Sequence, residues 1–319
     1  MPQQLAQGWS PPVRAALLDA LGRAQPKDFA VFDFDNTCIQ HDIGDMFFHE
    51  CVDQMAYRFE DERFWSLLDP QDEPERLREL ARQAQQMPAS QRPSSDAYAA
   101  YLRHASGLYQ AHSARHGHAH AYLWVVRLMV GMTPERVLEI SRDAYLRALS
   151  SPMNSREVAH ALEPGATLRI PQGVRVSQHI EQLFRWLESH GVQVWIVSAS
   201  AKLWVVPMAQ DVFGIPPHRV LGNGLSVQED GTFAPDTVVP PSFRQGKVAQ
   251  IRHHIHPTKA PLIAVGDAMT DFEMLSYASG LALVLDHGNE ELRGHATRLG
   301  WPIEDQTRLS FGVAPQPLR

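Results

Sequence analysis

The sequence predicts an α/β protein: a parallel sheet with helices on both faces, opened after its first strand by a helical insertion. Three observations predict it. Short apolar runs at 29–34, 192–197, 262–265 and 281–285 are separated by helix-patterned segments, the alternation of a parallel sheet. These runs are apolar almost throughout rather than at every second position, which suits strands covered on both faces. Between 44 and 164 no convincing strand pattern interrupts a series of helical segments.

Taken in order, residues 13–23 follow Pro11-Pro12 with helical apolar spacing (Val13, Leu17, Leu18, Leu21) and lead into the first strand. Helices are predicted over 45–57, 73–86, 95–112, 118–131 and 134–149. The last has a clear start, with Thr133 as N-cap and Pro134 at the first helical position. Pro164-Gly165 and Pro171-Gln172-Gly173 mark the return to mixed structure. A helix over 174–189 is closed by Gly191. Beyond it come a strand at 192–197, a helix at 201–213, and hairpin-like strands over 220–233 around Glu229-Asp230-Gly231. A helix at 244–256, a strand at 262–265, a helix at 271–278 and a strand at 281–285 follow. The expected division is a core domain of 1–43 and 165–319 and a helical domain of 44–164.

The chain has 319 residues, 44% hydrophobic and 20% charged, a globular balance sufficient for one large domain or two ordinary ones. A formal net charge of −7 gives no reason to expect nucleic acid as a partner. Two cysteines, Cys38 and Cys51, are too few for a disulfide framework. The N-terminal stretch lacks the basic-then-apolar order of a secretory signal. No apolar run approaches the ~18 residues that span a bilayer. A soluble, cytoplasmic protein without a membrane partner is expected.

Ligand sites of parallel α/β sheets lie at the carboxyl ends of the strands, so the residues after each apolar run are informative. The first run ends in Asp33 and Asp35. Two carboxylates closing a buried strand need a cation or a proton between them; an Asp-Asn turn that merely ends the strand is the alternative. Ser198, Ala199 and Ser200 follow the second run and open a helix whose N-terminal amides suit a phosphate. Either serine could instead cap that helix. Asp267 and Asp271 follow the third run, where Asp271 could simply complement a helix dipole. Lys247, after Gly246, starts an apolar helix where a lysine has little structural reason to be.

The motifs Asp33-Phe34-Asp35-Asn36-Thr37, Ile196-Val197-Ser198-Ala199-Ser200, Gly246-Lys247 and the run from Gly266-Asp267 through Asp271 to Leu275 stand in order. Together they resemble the haloacid dehalogenase (HAD) superfamily of hydrolases, in its phosphoserine-phosphatase-like branch, over 29–37 and roughly 173–285. The resemblance implies a Rossmann-like parallel sheet flanked by helices, the HAD core, with an inserted all-helical cap domain. It implies a Mg2+-dependent phosphatase that hydrolyses a small phosphomonoester through an aspartyl-phosphate. Asp33 would be the nucleophile and Asp35 the general acid and then base. Ser198 and Ala199 would contact the phosphoryl group, and Lys247 would neutralise it and orient Asp33. Asp33, Asp35 through its carbonyl, and Asp267 would hold Mg2+, with Asp271 in support. No Cys or His stands among these motifs for a zinc site.

Substrate choice would come from the cap. Asp42 and Asp45 lie at its entrance; phosphoserine phosphatases carry an amine-contacting acid near the position of Asp42, but typically Glu, so Asp42 is a departure. An amino- or ammonium-alcohol phosphate such as phosphoserine, phosphocholine or phosphoethanolamine would suit acidic groups and aromatics. Trp65, Tyr98, Tyr101, Tyr109, Tyr122 and Trp124 are available, with a plain structural core as the alternative. His112, His116, His118 and His120 show no one-faced arrangement and no nearby carboxylate, so a solvated His-rich connection is expected. The other function classes are a phosphotransferase using the same intermediate and a catalytically silent binding protein of this fold. The expected partner is a small phosphorylated metabolite.

Overall fold

Residues Phe29–Phe32 form a strand buried at all four positions, here β1, and its neighbours explain why. The central sheet adds Gln193–Ala201 (β2), Val220–Asn223 (β3), Ile263–Gly266 (β4), Leu281–Asp286 (β5) and Ile303–Asp305 (β6). All pairs are parallel and the spatial order is β6-β5-β4-β1-β2-β3. The chain turns from one side of β1 to the other, which makes the carboxyl end of β1 the switch point of the sheet. Val31 pairs with Ala264 on β4 and with Trp195 on β2, so this strand is covered along both edges.

Alternation along β1 sends its side chains to two cores. Phe29 and Val31 pack with Trp195, Val197, Leu221 and Ala264, beneath Ile251, Met274, Leu275, Leu292 and Ala296 from helices Gln245–His254, Phe272–Ser276 and Glu290–Leu299. On the other face Phe32 meets Phe184 edge-on at 4.6 Å, and Phe184 meets Phe213 at 5.5 Å, from helices Gln178–Ser189 and Lys202–Phe213. Each fully buried side chain of this size contributes roughly 1.5–3 kcal/mol.

The computed structural model describes Leu5 and residues 7–163 and 165–313. Pro164, where the helical domain was expected to end, lies outside the described residues, as does Met1 with the three residues after it. The chain divides into two units: Met1–Ile43, Val174–Asn223 and Val239–Arg319 form the first, Gly44–Gly173 and Gly224–Val238 the second. This division differs from the sequence-based one in two places. The strand Thr167–Gln172 pairs with Asn154–Ala159 and so stays with the second unit. Phe233 exchanges backbone hydrogen bonds with Gly131 and Met132, which draws the hairpin Leu225–Val227 and Phe233–Thr237 there too.

The second unit is therefore not all-helical. Its helices include Ile43–Gln54, Pro74–Gln85, Asp96–Ala105, Leu108–His116, His118–Arg127 and Pro134–Ser150, but it carries two hairpins. Asn154–Ala159 has mostly exposed side chains and only two apolar residues, so alternation could not announce it. The predicted helix 95–112 breaks at Ser106-Gly107, and Gly107 starts the next helix. In the first unit, Arg175–Ser177 is a strand rather than the start of a helix. It pairs with Ile39–Gln40 and Phe311–Gly312, and Ser177 accepts the Ile180 amide to cap the helix that follows. No helix among the described residues is long and apolar enough to cross a membrane.

Trp65, Tyr101 and Trp124 are buried in the second unit, where Phe59 meets Trp65 at 5.6 Å and Tyr101 at 5.9 Å. Tyr98 stacks on Tyr101 and its hydroxyl donates to the Asp53 carbonyl at 2.6 Å. Tyr109 lies against Phe48 at 6.3 Å. His112 is likewise no solvated residue. It is buried against Trp124, ring centroids 4.1 Å apart, and the Asp69 carboxylate lies 3.7 Å away. Asp69 is remote in sequence, which hid the pairing.

His49 in this unit is buried, its Nδ1 has no partner among the described residues, and burial with the Arg156 charge lowers its pKa to about 3. The unfolded chain takes up that proton near pH ~6.5. The stability this neutral ring contributes is therefore whole above that pH and is lost as pH falls toward 3. Unfolding free energies from urea titrations should fall with an extra slope of about 1.4 kcal/mol per pH unit between pH ~6 and ~4. His49→Leu should lose that slope; an unchanged slope would contradict the assignment.

Candidate active site

The carboxyl end of β1 sets the site. The Asp33 amide still donates to the Val265 carbonyl at 2.9 Å, so β4 holds the backbone through Asp33. The chain then turns sharply: the Cys38 amide donates to the Phe34 carbonyl at 2.8 Å, and Asn36 takes a left-handed φ of 52°, a conformation Asn tolerates. The Cys38 thiol donates to the Asp33 carbonyl at 3.1 Å, and burial pushes its pKa well up, so it serves as packing.

Asp33, Asp267, Asp271 and Lys247 are all buried. Lys247 Nζ donates to Asp33 Oδ1 and to Asp271 Oδ1, both at 2.5 Å. Its helix can begin here because Gly246 lies so close to the Pro241 carbonyl that a Cβ would collide with it. Burial alone would lower the Lys247 pKa, but the Asp271 and Asp33 charges more than offset it, and the ammonium is stabilised. Asp271 Oδ2 accepts the amides of Asp267 and Ala268 at 3.1 and 3.2 Å. Both its oxygens are thus engaged, and it organises the loop after β4 rather than merely complementing a helix dipole. Gly266 makes room: a Cβ there would lie 2.7 Å from the Asp271 carboxylate.

Asp267 Oδ1 accepts from the Thr37 hydroxyl at 3.0 Å, and its Oδ2 lies 2.8 Å from His287 Nε2. That hydrogen bond raises the His287 pKa against its partial burial. Asp35 is partly exposed, and its two oxygens accept the Ile43 amide and the Ser200 hydroxyl, each at 2.7 Å. Burial pushes the Asp33 pKa well up, with Asp271 adding to it and Lys247 opposing. Asp35 is also pushed well up, by desolvation first and then by the Asp42 charge.

The β2 segment that follows Val197 departs from regular pairing. Ser198–Ser200 falls in a register shift against β3, the kind of irregularity that re-aims a side chain beside a site. Neither serine caps the next helix. The Ser198 hydroxyl is buried and accepts the Ser200 amide at 3.0 Å, while Ser200 reaches Asp35; the helix Lys202–Phe213 has Ala201 at its N-cap with no side-chain cap. Asn223, at the end of β3, donates to the Ala199 carbonyl at 2.5 Å and accepts the Ser242 amide at 2.8 Å, which pins this loop. Asn223 and His287 were missed in the sequence; the only signal was a polar residue at a strand end. Asp45 lies in the first turn of Ile43–Gln54, on the second unit's stretch of chain.

The arrangement thus gathers Asp33, Asp35, Ser198, Ala199, Lys247, Asp267 and Asp271 around one strand-end region. Ligand oxygens of Asp33, Asp267 and Asp271 lie within 4.8 Å of one another, an all-oxygen donor set suited to a hard divalent cation. Three buried carboxylates converge here, with the Lys247 ammonium on Asp33 and Asp271 and His287 beside Asp267, a carboxylate-rich cluster that suits a cation. Lys247→Met removes the buried ammonium shared by Asp33 and Asp271 and should destabilise the metal-free protein by about 3–5 kcal/mol in urea unfolding. A loss below about 1 kcal/mol would contradict the pairing.

A family profile for haloacid dehalogenase-like hydrolases matches residues 94–276, more than half of the 319 residues. The span takes in Ser198, Lys247, Asp267 and Asp271 and begins after Asp33 and Asp35. No curated protein matches the sequence. Among solved structures, a conserved functionally unknown protein from Anaerococcus prevotii DSM 20548 matches at a TM-score of 0.82 and 20% identity, over 98% of this chain and 97% of that one. A protein of unknown function from Bordetella pertussis Tohama I matches at a TM-score of 0.58 and 14% identity, over 88% of this chain and 100% of that one. These likenesses concern the fold. With the family match and the parallel sheet, they lead to one conclusion: the chain belongs to the haloacid dehalogenase-like hydrolases.

Proposed function

We propose that the protein is a Mg2+-dependent phosphatase that hydrolyses a small phosphomonoester through an aspartyl-phosphate on Asp33. The observation that carries this reading is the unequal engagement of two carboxylates two residues apart. Asp33 Oδ1 takes the buried Lys247 ammonium, whereas both Asp35 oxygens accept hydrogen bonds from Ile43 and Ser200. One carboxylate is paired with a fixed positive charge, which suits attack; the other is held by two neutral donors, an amide and a hydroxyl, which suits proton transfer.

In this reading Asp33 Oδ2 attacks phosphorus while the bond to the ester oxygen breaks, and Asp35 gives its proton to the departing alcohol. Asp35 then takes a proton from water, which opens the aspartyl-phosphate and releases inorganic phosphate. Lys247 favours the ionised form of Asp33 and offsets the charge of the incoming dianion. The Ser198 hydroxyl and the Ala199 amide receive phosphoryl oxygens, with Asn223 holding their loop. Asp33, the Asp35 carbonyl and Asp267 would hold Mg2+, and Asp271 supports them from behind. Bound there, the ion supplies charge neutralisation and Lewis-acid polarisation of the phosphoryl group. Gly44–Gly173 with Gly224–Val238 serves as the cap. Asp42 and Asp45 favour a substrate bearing an amine or quaternary ammonium group, such as phosphoserine, phosphocholine or phosphoethanolamine.

Asp33→Asn should fold as the wild type and lose hydrolysis of p-nitrophenyl phosphate by several orders of magnitude. Chelation should silence the wild type, and Mg2+ alone should restore it. Near-normal turnover by Asp33→Asn would sink the mechanism. In a panel of small phosphomonoesters, the three ammonium-bearing esters should be cleaved with higher kcat/KM than glycerol phosphate; the reverse order would remove the proposed roles of Asp42 and Asp45.

A further inference from the structure

The histidines of the second unit form a second constellation, remote in chemistry from the carboxylate cluster. His112 and His116 stand four residues apart on the helix Leu108–His116, which places them on one helical face. Asp69, from the segment just before the short turn Pro70–Asp72, brings a carboxylate to that face. His116 Nε2 lies 2.6 Å and His112 Nδ1 3.7 Å from Asp69 Oδ2. One donor atom from each of the three residues falls within 4.8 Å of the others.

The orientation of His112 is the second observation. Its ring is only 2% exposed and lies flat on Trp124, 11° from parallel. Its Nε2 is 3.0 Å from His120 Nδ1, and Nδ1 has no hydrogen-bond partner. With the ring proton on Nε2 and donated to His120, the Nδ1 lone pair faces Asp69 and His116. A metal-binding histidine is usually fixed in this way, its other nitrogen donating to an outer partner.

Neighbouring contacts and size agree. Arg115 pairs with both Asp69, at 3.3 Å, and Asp72, which steadies the Asp69 carboxylate on this face. Tetrahedral bonds of ~2.0–2.1 Å put ligand atoms roughly 3.3 Å apart. The His112–Asp69 separation is near that value. The His116–Asp69 pair is at hydrogen-bond length and opens slightly when a metal replaces the shared proton. His116 is exposed, which gives it that freedom and gives an ion its way in. His118 is no part of this set, since its Nδ1 pairs with the Ser113 hydroxyl at 2.8 Å.

We propose that Asp69, His112 and His116 bind a Zn2+-type divalent transition ion, with water completing the shell and His120 positioning His112. Two imidazoles and a carboxylate without thiolate suit Zn2+ or Co2+, not the hard Mg2+ expected of an all-oxygen set. Such an ion would tie the helix Leu108–His116 to the segment at Asp69.

The test titrates Zn2+ into metal-stripped full-length protein by calorimetry, with excess Mg2+ present to occupy the carboxylate cluster. The wild type should bind one equivalent. His116→Gln and Asp69→Asn should lose it while keeping the wild-type circular dichroism, and His120→Gln should bind roughly 10- to 100-fold more weakly. Independently of any variant, Co2+ in the wild type should give the visible absorption of a tetrahedral site with nitrogen ligands. The proposal is overturned if the wild type binds no Zn2+, if His116→Gln and Asp69→Asn bind as the wild type does, or if bound Co2+ shows only the weak octahedral spectrum.

Discussion

A single buried ammonium organises the candidate site. Lys247 has no exposure to water, and such a charge is tolerable only because Asp33 and Asp271 reach it from two different strand ends. Its neighbours are shaped to let it arrive. Gly246 lets the helix pass the Pro241 carbonyl, and Arg244 adopts a left-handed φ of 49° at the helix start. A buried ion pair of this kind adds little net stability, since desolvation takes back most of the Coulombic gain. What it contributes is position: one nitrogen ties the loops after β1 and β4 to the start of the helix Gln245–His254.

The same economy governs the hydroxyls. In the sequence either Ser198 or Ser200 could cap the next helix, since both follow the same apolar run. The register shift against β3 separates them, sending one inward to hold a backbone amide and the other to Asp35. The distinction depends on pairing with another strand, and no local pattern could express it.

That contrast marks how far the sequence could be read. Four strands of the sheet were legible because they are buried on both faces and stand out as unbroken apolar runs, and the strand-end rule then led to Asp33, Asp267 and Asp271, while Lys247 stood out at a helix start. Ile303–Asp305 has no apolar run, and Val220–Asn223, expected in a hairpin, joins the parallel sheet instead. Short or exposed pairings were not legible. Arg175–Ser177 is a strand only because Ile39 and Phe311 come from elsewhere in the chain to meet it, and Asn154–Ala159 lacks the burial that would give it a pattern. The histidines were misread for a similar reason. Their periodicity on the helix was present, but the carboxylate and the Trp124 face that give it meaning are brought together by tertiary structure alone. Asn223 and His287 carry no motif at all; each is a lone polar side chain whose role depends on a partner in another loop.

Gly266 shows how such a centre can fail without any change of charge. Its missing side chain is the space into which the Asp271 carboxylate folds, and that carboxylate holds the Asp267 amide and shares the Lys247 nitrogen. One added methyl group would displace the carboxylate and, through it, every ionic partner in the chain of contacts. The electrostatics of the centre are thus guarded by a residue that has none, and a variant blind to pH, salt and metal could still disable it by volume alone.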